Sequence, residues 1–347
     1  MAHYNSHDSF KTKKSINKKN KIKENLLSKT EIIPKNFIIE DSNDTAIIIE
    51  VSYNSAWILY NSKVKEAKLR REINVPCNKI FLAGDKVKLL EENNNYIIEN
   101  LIKRKTILTR IKKDSTRVSD NVMSIQNIAA NITLAVITVA AKEPPLHPKF
   151  IDRYLIILEN SNIKPIICLN KCDLKTEKED KILDVYRNLN IPIIETSTYT
   201  HIGIENLKKH LRGNQAILVG NSGVGKSSLI NEIMKEEKTA VGNVSMKSKR
   251  GRHTTTKSKF YVWEENSSII DTPGIRSLDV STFTTEEIKN YFKEFATWRD
   301  KCKYKDCLHY KETEKDCMVK QAVKKGIINK DRYESYIRII KNILKEE

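Results

Sequence analysis

The feature that most constrains the fold of this chain is a glycine-rich segment that lies between an apolar run and a helical pattern. Residues 220–227 read GNSGVGKS and fit the pattern G-x-x-x-x-G-K-[ST]. The apolar run 216–219 precedes them, and residues 228–234 continue with the apolar spacing of a helix. A strand, a loop and a helix in this order are the context that identifies a phosphate-binding loop.

The chemistry of this loop follows from its backbone and its polar side chains. Glycines let successive N–H groups turn toward a phosphate, and the start of the helix adds a partial positive charge. We expect Lys226 to reach the β and γ phosphates and Ser227 to hold Mg²⁺. The residues predicted to surround the nucleotide here are Gly220, Asn221, Ser222, Gly223, Val224, Gly225, Lys226, Ser227 and Ser228.

The second half of the predicted Mg²⁺ site comes later in the chain. Residues 268–274 read SIIDTPG, a short apolar strand that ends in an acidic residue. We expect Asp271 to hold Mg²⁺ through water and the Gly274 N–H to meet the γ-phosphate. Together with Lys226 and Ser227, Asp271 is a predicted catalytic residue.

A threonine-rich loop lies between the phosphate loop and that strand, where residues 251–256 read GRHTTT. In switch GTPases, a mobile loop ordered by the γ-phosphate and Mg²⁺ is a recurring device. We expect one hydroxyl of this loop to complete the Mg²⁺ shell. Thr255 is the candidate, but Thr254 and Thr256 stay open, and a solvated loop without this role is the alternative.

The residue after Gly274 bears on the rate of hydrolysis. Many GTPases have a glutamine there that orients the attacking water, whereas this chain has Ile275. We therefore expect slow intrinsic hydrolysis, with the water positioned either by a partner or by His253, which is the fourth catalytic candidate.

A second motif predicts which base is bound. Residues 170–173 read NKCD and directly follow an apolar run, which is where α/β sheets bind ligands. The Asp173 carboxylate accepts from the N1–H and the N2 amino group of guanine. Adenine has no such donor pair and would leave a desolvated carboxylate unpaired, at a cost of about 1–3 kcal/mol.

The neighbours of Asp173 complete the predicted base site. Asn170 would support the base edge and the loop, the Lys171 stem would cover the ring, and Cys172 belongs to the same turn. Glu195-Thr-Ser197 also follows a predicted strand, and we expect it to supply backbone contacts to the base.

The order of these motifs is unusual. Most P-loop GTPases have the phosphate loop first, whereas here the guanine motif precedes it, as in a circularly permuted GTPase. Strand and helix patterns alternate around the motifs, which predicts a three-layer α/β domain with a mostly parallel sheet. The expected strands are 132–139, 165–169, 191–194 and 216–219, and the expected helices are 148–160, 178–190 and 204–211.

Short β-type runs precede this domain. They lie at 46–51, 55–60, 79–82, 85–90 and 96–100, with turn signals between them. About five short strands favour a small closed barrel such as the OB-fold, with an SH3-like barrel as the alternative. Trp57, Tyr60 and Phe81 either stack on bases or pack in the core.

A cluster of potential metal ligands follows the GTPase motifs. Three of the six cysteines crowd beside a histidine as Cys302, Cys307, His309 and Cys317. Three thiolates and one imidazole are a ligand set for tetrahedral Zn²⁺ in a structural site. Free thiols near a surface histidine are the alternative.

The charge of the chain indicates its partners. With 62 Lys and Arg against 44 Asp and Glu, the net charge is +18, which is typical of proteins that meet a polyanion. No apolar run reaches the roughly 18 residues of a membrane span. We expect a cytoplasmic monomer that binds nucleic acid and no membrane. The basic run from Lys11 to Lys23 either grips RNA phosphates or has no role.

These observations divide the chain into four segments. We expect a basic disordered tail at 1–42, an OB-fold-like barrel at 43–109, a circularly permuted GTPase domain at 110–295 and a helical zinc-binding domain at 296–347. The switch after Asp271 then leads directly into the C-terminal segment.

Taken together, these features resemble the circularly permuted small ribosomal subunit biogenesis GTPases. The resemblance covers nearly all of the chain after the tail. The segments that carry it are 83–85, 128–131, 152–155, 170–173, 220–228, 251–256, 271–275, the four metal-ligand candidates and 322–336. It implies GTP hydrolysis stimulated by the small ribosomal subunit, an OB-fold that contacts rRNA, and one zinc ion. The gap from His309 to Cys317 is about two residues longer than the family pattern, and Asp316 replaces a common glycine.

We therefore expect a GTPase that assists or checks late assembly of the small ribosomal subunit. One alternative is a non-enzymatic rRNA-binding chaperone with a vestigial nucleotide site, which the intact Lys226, Ser227, Asp271 and Asp173 disfavour. The other is a GTPase that acts on another RNA or at a membrane.

Overall fold

The computed structural model describes residues 37–42, 44–70, 72–73, 75–93, 95–113, 123–235, 259–264, 266–271 and 280–345. The described residues form two compact units. One contains those of 37–151 and 158–271, and the other contains 152–157 and 280–345.

Fourteen strands and nine α-helices lie in this described part of the chain. The strands are β1 (Ile38–Ile39), β2 (Thr45–Val51), β3 (Ser55–Tyr60), β4 (Lys63–Leu69), β5 (Lys86–Glu92), β6 (Asn95–Ile102), β7 (Ile107–Lys113), β8 (Met123–Ala130), β9 (Leu134–Ala140), β10 (Lys164–Asn170), β11 (Ile193–Glu195), β12 (Gln215–Val219), β13 (Lys259–Glu264) and β14 (Ser267–Asp271). The helices are α1 (Cys77–Ile80), α2 (Pro148–Asn160), α3 (Glu177–Arg187), α4 (Ile204–Leu211), α5 (Lys226–Lys235), α6 (Thr285–Tyr291), α7 (Ala296–Arg299), α8 (Met318–Lys324) and α9 (Lys330–Leu344).

The first five long strands close into a barrel. The strand order is β2-β3-β4-β6-β5 and returns to β2, with β1 added to β6. Alternate residues such as Ala56 and Ile58 point into the barrel and are fully buried, as the period of a half-buried strand requires. This order, with α1 between the third and fourth barrel strands, is OB-like and confirms the expected barrel over the SH3-like alternative.

Three details of the barrel differ from the sequence-based expectation. The predicted strand 79–82 is wrong, because residues 77–80 form α1. Its first residue follows Pro76, whose φ of −57° already suits a helix start, and Cys77 and Ile80 are both buried at helical spacing. The charged strand β4 was not predicted. Phe37 is fully buried and β1 pairs with β6, so residues before the predicted boundary at 43 belong to the barrel.

Phe81 packs in the core of the barrel, since only 2% of its surface is exposed. Its ring lies 6.1 Å from that of Phe37. Trp57 and Tyr60 are half-buried. Core packing is therefore the role of Phe81. Of the three aromatic residues, Trp57 and Tyr60 alone have the exposure that base stacking requires.

A six-stranded sheet forms the centre of the predicted α/β domain. Its order is β11-β10-β9-β12-β14-β13, and only β13 runs antiparallel to its neighbour. All seven residues of β9 are buried, which is the pattern of a central strand covered on both faces. The mostly parallel sheet and the helices at 148–160 and 204–211 agree with the sequence-based expectation.

The barrel is joined to this sheet through Gly84. The Gln215 side-chain amide, at the start of β12, donates to the carbonyl oxygens of Ala130 at 2.7 Å and Gly84 at 3.3 Å. Asn131 donates to the same Gly84 oxygen at 3.0 Å. With φ at +91°, a Cβ on Gly84 would lie 2.3 Å from the Ala130 oxygen, so only glycine fits this joint.

The second unit is built on an aromatic core. Phe292, Phe295 and Tyr336 are fully buried, and their ring centroids lie 5.0–5.3 Å apart. Arg332, also buried, donates to Asp152 at 2.6 Å and to Glu294 at 2.8 Å. This ion pair ties segment 152–157 to α9. None of the helices described in either unit has the length and hydropathy needed to cross a bilayer.

Candidate functional site

The phosphate loop leaves β12 and enters α5 through three glycines with positive φ angles. Gly223 and Gly225 have φ values of +83° and +93°. A Cβ on Gly225 would lie 2.2 Å from Asn170 Nδ2, and one on Gly220 would lie 2.4 Å from the Thr138 carbonyl oxygen. The loop therefore passes so close to β9 and β10 that side chains are excluded at these two positions.

Lys226 is the first residue of α5, and its side chain folds back along the loop. Its Nζ donates to the carbonyl oxygens of Gly220 at 2.8 Å and Asn221 at 2.7 Å. Ser227, the next residue, is exposed at the helix start. A cation and a hydroxyl thus lie at the helix N-terminus, where an anion is favoured.

Asp271 is the last residue of β14. It pairs in register with Leu218 of β12, two residues before Gly220. Because the two strands are parallel, the sheet brings this carboxylate to the edge at which the phosphate loop begins. The predicted arrangement of Lys226, Ser227 and Asp271 around one end of β12 is what the strand order produces.

Asn170, of which only 1% is exposed, holds the turn after β10 by two side-chain hydrogen bonds. Its Nδ2 donates to the Val224 carbonyl oxygen of the phosphate loop at 2.9 Å, and its Oδ1 accepts from the Thr196 hydroxyl at 3.2 Å. One side chain therefore connects three loops. The sequence predicted that Asn170 supports the base edge and the loop, and the structure adds its bond to Val224 of the phosphate loop.

The remaining residues of this turn, Lys171 to Asp173, are less buried than Asn170. Lys171 has φ at +57°, and its Nζ donates to the Glu143 carbonyl oxygen at 2.5 Å. A 3₁₀ turn follows at Cys172–Leu174, and the Asp173 side chain is exposed. The carboxylate thus stands at the sheet edge in contact with solvent, where a base can reach it.

The loop after β11 lies beside this turn. The Cys172 N–H donates to the Thr196 carbonyl oxygen at 3.0 Å, and Thr196 and Ser197 are fully buried. The Ser197 N–H donates to the Ile202 carbonyl oxygen at 3.0 Å, while its hydroxyl accepts from the backbone of Tyr199 and Thr200. Ser197 shapes this loop through these bonds, and its own N–H is already engaged.

Several predicted site residues lie outside the described part of the chain. They are His253, Thr254, Thr255, Thr256, Gly274 and Ile275. Their roles stay predictions.

The four predicted metal ligands converge in the second unit. The Sγ atoms of Cys302, Cys307 and Cys317 lie 3.6, 3.2 and 3.4 Å from His309 Nδ1, and Cys302 Sγ lies 4.0 Å from Cys317 Sγ. All four ligand atoms lie within 4.8 Å of one another. A zinc tetrahedron with Zn–S bonds of about 2.3 Å has edges of about 3.6–3.8 Å, so this donor set fits Zn²⁺.

The surroundings of the cluster prepare it for a cation. Cys307 donates a hydrogen bond to Cys317, which lowers the pKa of the Cys317 thiol to about 4 and raises the pKa of the Cys307 thiol. The thiolate is the form that binds metal. Tyr333 donates to the His309 carbonyl oxygen at 2.7 Å and Tyr336 to that of Leu308 at 2.5 Å, which fixes the loop to α9.

The stretch between His309 and Cys317 is closed in part by Glu312, which was not singled out from the sequence. The Glu312 carboxylate accepts from the backbone of Leu308 and Tyr310, each at 2.8 Å. Asp316 pairs with Lys303 at 2.9 Å. These contacts hold the stretch while all four candidate ligands stay in the cluster.

Comparison with known proteins places this arrangement in a family. The family model for the RsgA GTPase matches residues 101–281. The small ribosomal subunit biogenesis GTPase RsgA of Clostridium beijerinckii is 36% identical over 270 residues, which are 77% of this chain and 86% of that protein.

Two crystal structures have a similar fold. YjeQ from Thermotoga maritima has a TM-score of 0.68 and 28% identity, over 88% of this chain and 99% of its own. YloQ, described as a circularly permuted GTPase, has a TM-score of 0.66 and 26% identity, over 87% of this chain and 95% of its own.

Proposed function

The chain belongs to the RsgA GTPase family and is a GTPase, and from this premise we propose that it assists or checks the late assembly of the small ribosomal subunit. GTP favours the subunit-bound state, and the subunit stimulates hydrolysis to GDP and phosphate, which releases the protein. The observation that carries the nucleotide part is the 2.9 Å bond from Asn170 to the Val224 oxygen, because it joins the base-reading turn to the phosphate loop.

In this proposal the turn after β10 selects guanine. Asp173 accepts from the N1–H and the N2 amino group, Lys171 covers the ring, and Asn170 holds the turn against the phosphate loop. The exposure of Asp173 at the sheet edge supports this role, and so does the αL conformation of Lys171, which begins the turn. The loop with Ser197 borders the base from the other side.

The phosphate loop holds the other end of the nucleotide. Backbone N–H groups of 220–228 cradle the phosphates, and Lys226 exchanges its bonds to the loop carbonyls for the β and γ phosphates. Ser227, Asp271 and one threonine of 254–256, with Thr255 preferred, hold Mg²⁺, and the Gly274 N–H meets the γ-phosphate. The Mg²⁺ ion neutralises charge that develops on the phosphate oxygens.

Hydrolysis is slow in the free protein in this proposal, because Ile275 replaces the water-orienting glutamine. His253 or a group of the subunit positions the attacking water. A zinc ion held by Cys302, Cys307, His309 and Cys317 would be structural and take no part in the chemistry, since these four side chains would fill its coordination shell.

The basic surface supports a partner made of RNA. Around the zinc loop, three lysines lie over aromatic rings: Lys301 at 5.3 Å from the Trp298 centroid, Lys303 at 5.2 Å from that of Tyr304, and Lys311 at 5.9 Å from that of Tyr310. Cations contact phosphates and rings stack on bases. We place rRNA on this unit and on the barrel, and the protein acts as a monomer in the cytoplasm, without a membrane partner.

Co-sedimentation tests this proposal. The full-length protein is centrifuged with purified small subunits in the presence of a non-hydrolysable GTP analogue, GDP or no nucleotide. We expect it to pellet with the subunits when the analogue is bound and to stay in solution with GDP. Equal pelleting in all three conditions would favour an RNA-binding chaperone, and no pelleting would favour a GTPase that acts on another RNA.

A further inference from the structure

A cluster of charged side chains joins the two loops that border the base, and we propose that its Lys175–Glu195 ion pair sets the strength of guanine selectivity. Neither side chain contacts the base in this proposal. They act as positioning residues that keep Asp173 at hydrogen-bond distance from guanine. The inference rests on the proposed use of Asp173 as the guanine reader.

The ion pair has two short contacts. Lys175 Nζ donates to Glu195 Oε1 at 3.0 Å and to Oε2 at 2.7 Å. Arg187, the last residue of α3, adds a bond from Nη2 to Glu195 Oε1 at 3.2 Å. The Glu195 carboxylate therefore accepts hydrogen bonds from both Lys175 and Arg187. The pKa of Lys175 is raised, chiefly by its hydrogen bond to Glu195.

Lys175 and Glu195 lie in the two loops that border the base, so their ion pair connects these loops. Lys175 lies two residues after Asp173, at the end of the 3₁₀ turn, and Glu195 directly precedes the buried Thr196 and Ser197. The two loops also share the backbone bond from Cys172 to Thr196. The Lys175–Glu195 ion pair adds a side-chain link between the same two loops. It therefore limits how far the turn with Asp173 can move away from the sheet edge.

The two cations are anchored independently of Glu195. Lys175 also bonds Asp180 at 3.0 Å, and Arg187 bonds Asp184 at 2.5 Å. Removing the charge of Glu195 therefore leaves neither cation without a carboxylate. We expect Glu195→Gln to loosen the link between the loops while α3 keeps its own ion pairs.

A looser link should lower the preference for guanine over hypoxanthine, because the two bases offer Asp173 different numbers of hydrogen-bond donors. A hydrogen bond weakens steeply with distance and angle. Guanine offers Asp173 two donors, whereas hypoxanthine lacks the N2 amino group and offers one. A displaced Asp173 should therefore lose more affinity for GDP than for IDP, and a general loss of stability would lower both equally.

The expected effect is modest, because the pair is partly exposed. The side chains of Lys175 and Glu195 are 23% and 30% exposed, and such pairs contribute up to about 1 kcal/mol. This corresponds to a decrease of about 2- to 5-fold in the preference for GDP over IDP. The effect should shrink at high ionic strength, where the pair is screened in the wild type too.

The chain offers a matched control in the Arg212–Glu264 pair. Arg212 Nε donates to Glu264 Oε1 at 3.1 Å and to Oε2 at 2.9 Å, and Glu264 is 29% exposed. This pair joins the residue after α4 to β13, and neither of its residues belongs to a base-bordering loop. Glu264→Gln removes the same charge in a similar environment.

Equilibrium titration of the full-length protein with fluorescent GDP, IDP and ADP tests the inference. We expect Glu195→Gln and Lys175→Met to lower the GDP-to-IDP affinity ratio, the double variant to lower it by less than the sum of the two, and Glu264→Gln to leave it unchanged. An unchanged ratio in both Glu195→Gln and Lys175→Met, with the wild type still preferring GDP over ADP, would overturn this inference alone. A wild type that binds ADP as well as GDP would overturn the guanine-reading proposal and this inference with it.

Discussion

The nucleotide site and the cysteine–histidine cluster both gather residues from separate parts of the sequence, but they do so by different means. In the nucleotide site, the polar groups stand at the ends of paired parallel strands: Asn170 is in register with Ala140, and Asp271 with Leu218. The metal ligands Cys302, Cys307 and His309 lie instead in residues 301–317, where the structure describes turns and bends without a helix or strand.

This difference determines what each site depends on. The sheet places the nucleotide-binding groups through backbone pairing and a buried core, neither of which needs a ligand. The cluster lies outside helices and strands and is held mainly by side-chain bonds from Tyr333, Tyr336 and Glu312, so a zinc ion bound there would supply further cross-links. Substitutions should therefore change chemistry in the first site and local stability in the second.

The largest effect is expected from Lys226→Ala. Loss of the ammonium that neutralises phosphate charge should lower subunit-stimulated GTP turnover by a factor of about 10²–10³. Thermal stability should change little, because two bonds of the side chain go to carbonyl oxygens of its own loop, Gly220 and Asn221. Turnover assays and thermal unfolding of the same preparation check both parts. If Lys226→Ala unfolded at a much lower temperature than the wild type, Lys226 would contribute to stability as well as to turnover, which contradicts this prediction.

The opposite pattern is expected from Cys317→Ser. With three ligands left, the zinc content should fall from one ion per chain toward zero, and the second unit should lose about 4–5 kcal/mol of stability. Elemental analysis and hydrogen exchange over residues 301–317 are the measurements. GDP affinity should be retained, since none of the four ligands belongs to the nucleotide-binding unit. A full zinc complement with unchanged exchange would contradict the assigned ligand set.

Asp173→Asn sharpens the comparison within the nucleotide site. The asparagine amide N–H₂, a donor, can face the N2 amino group of guanine, which is also a donor. GDP affinity should therefore fall by about 30- to 100-fold. Xanthosine diphosphate, which has an oxygen at that position, should gain affinity at the same time. If both nucleotides were affected alike, Asp173 would not be reading the base.

Gly225→Ala is expected to have the smallest effect and to affect stability and binding together. Its Cβ would lie 2.2 Å from Asn170 Nδ2, and φ is +93°, so the cost should be about 1–3 kcal/mol. Gly213→Ala is the matched control, because it has φ at +69° and nothing within 4 Å. Denaturant unfolding and GDP titration of both variants measure the difference. An equal cost in the two variants would show that backbone strain alone is responsible.

Much of this architecture was accessible from the sequence because its signals are local. The phosphate loop is a contiguous strand, loop and helix, and the helices 148–160 and 204–211 were predicted with the bounds that the structure has. The candidate metal ligands stand out in the sequence because cysteine and histidine are rare and four of them fall within 16 residues.

The missed features depend on partners distant in sequence. β4 reads KVKEAKL and carries too much charge to resemble a strand, yet its residues 63–68 pair with β3. Residues 79–82 have a β-type composition, but Pro76 and the burial of Cys77 and Ile80 favour a helical turn. Glu312 and the Lys175–Glu195 pair act through contacts that no spacing rule encodes.

GTP turnover by the full-length protein, with and without purified small ribosomal subunits and with ATP as a control, tests the central claim most directly. The account predicts slow turnover alone, a marked increase on addition of subunits, and no comparable turnover of ATP. Turnover that subunits leave unchanged would contradict the proposed role in subunit assembly. Equal hydrolysis of ATP would contradict the reading of guanine by Asp173.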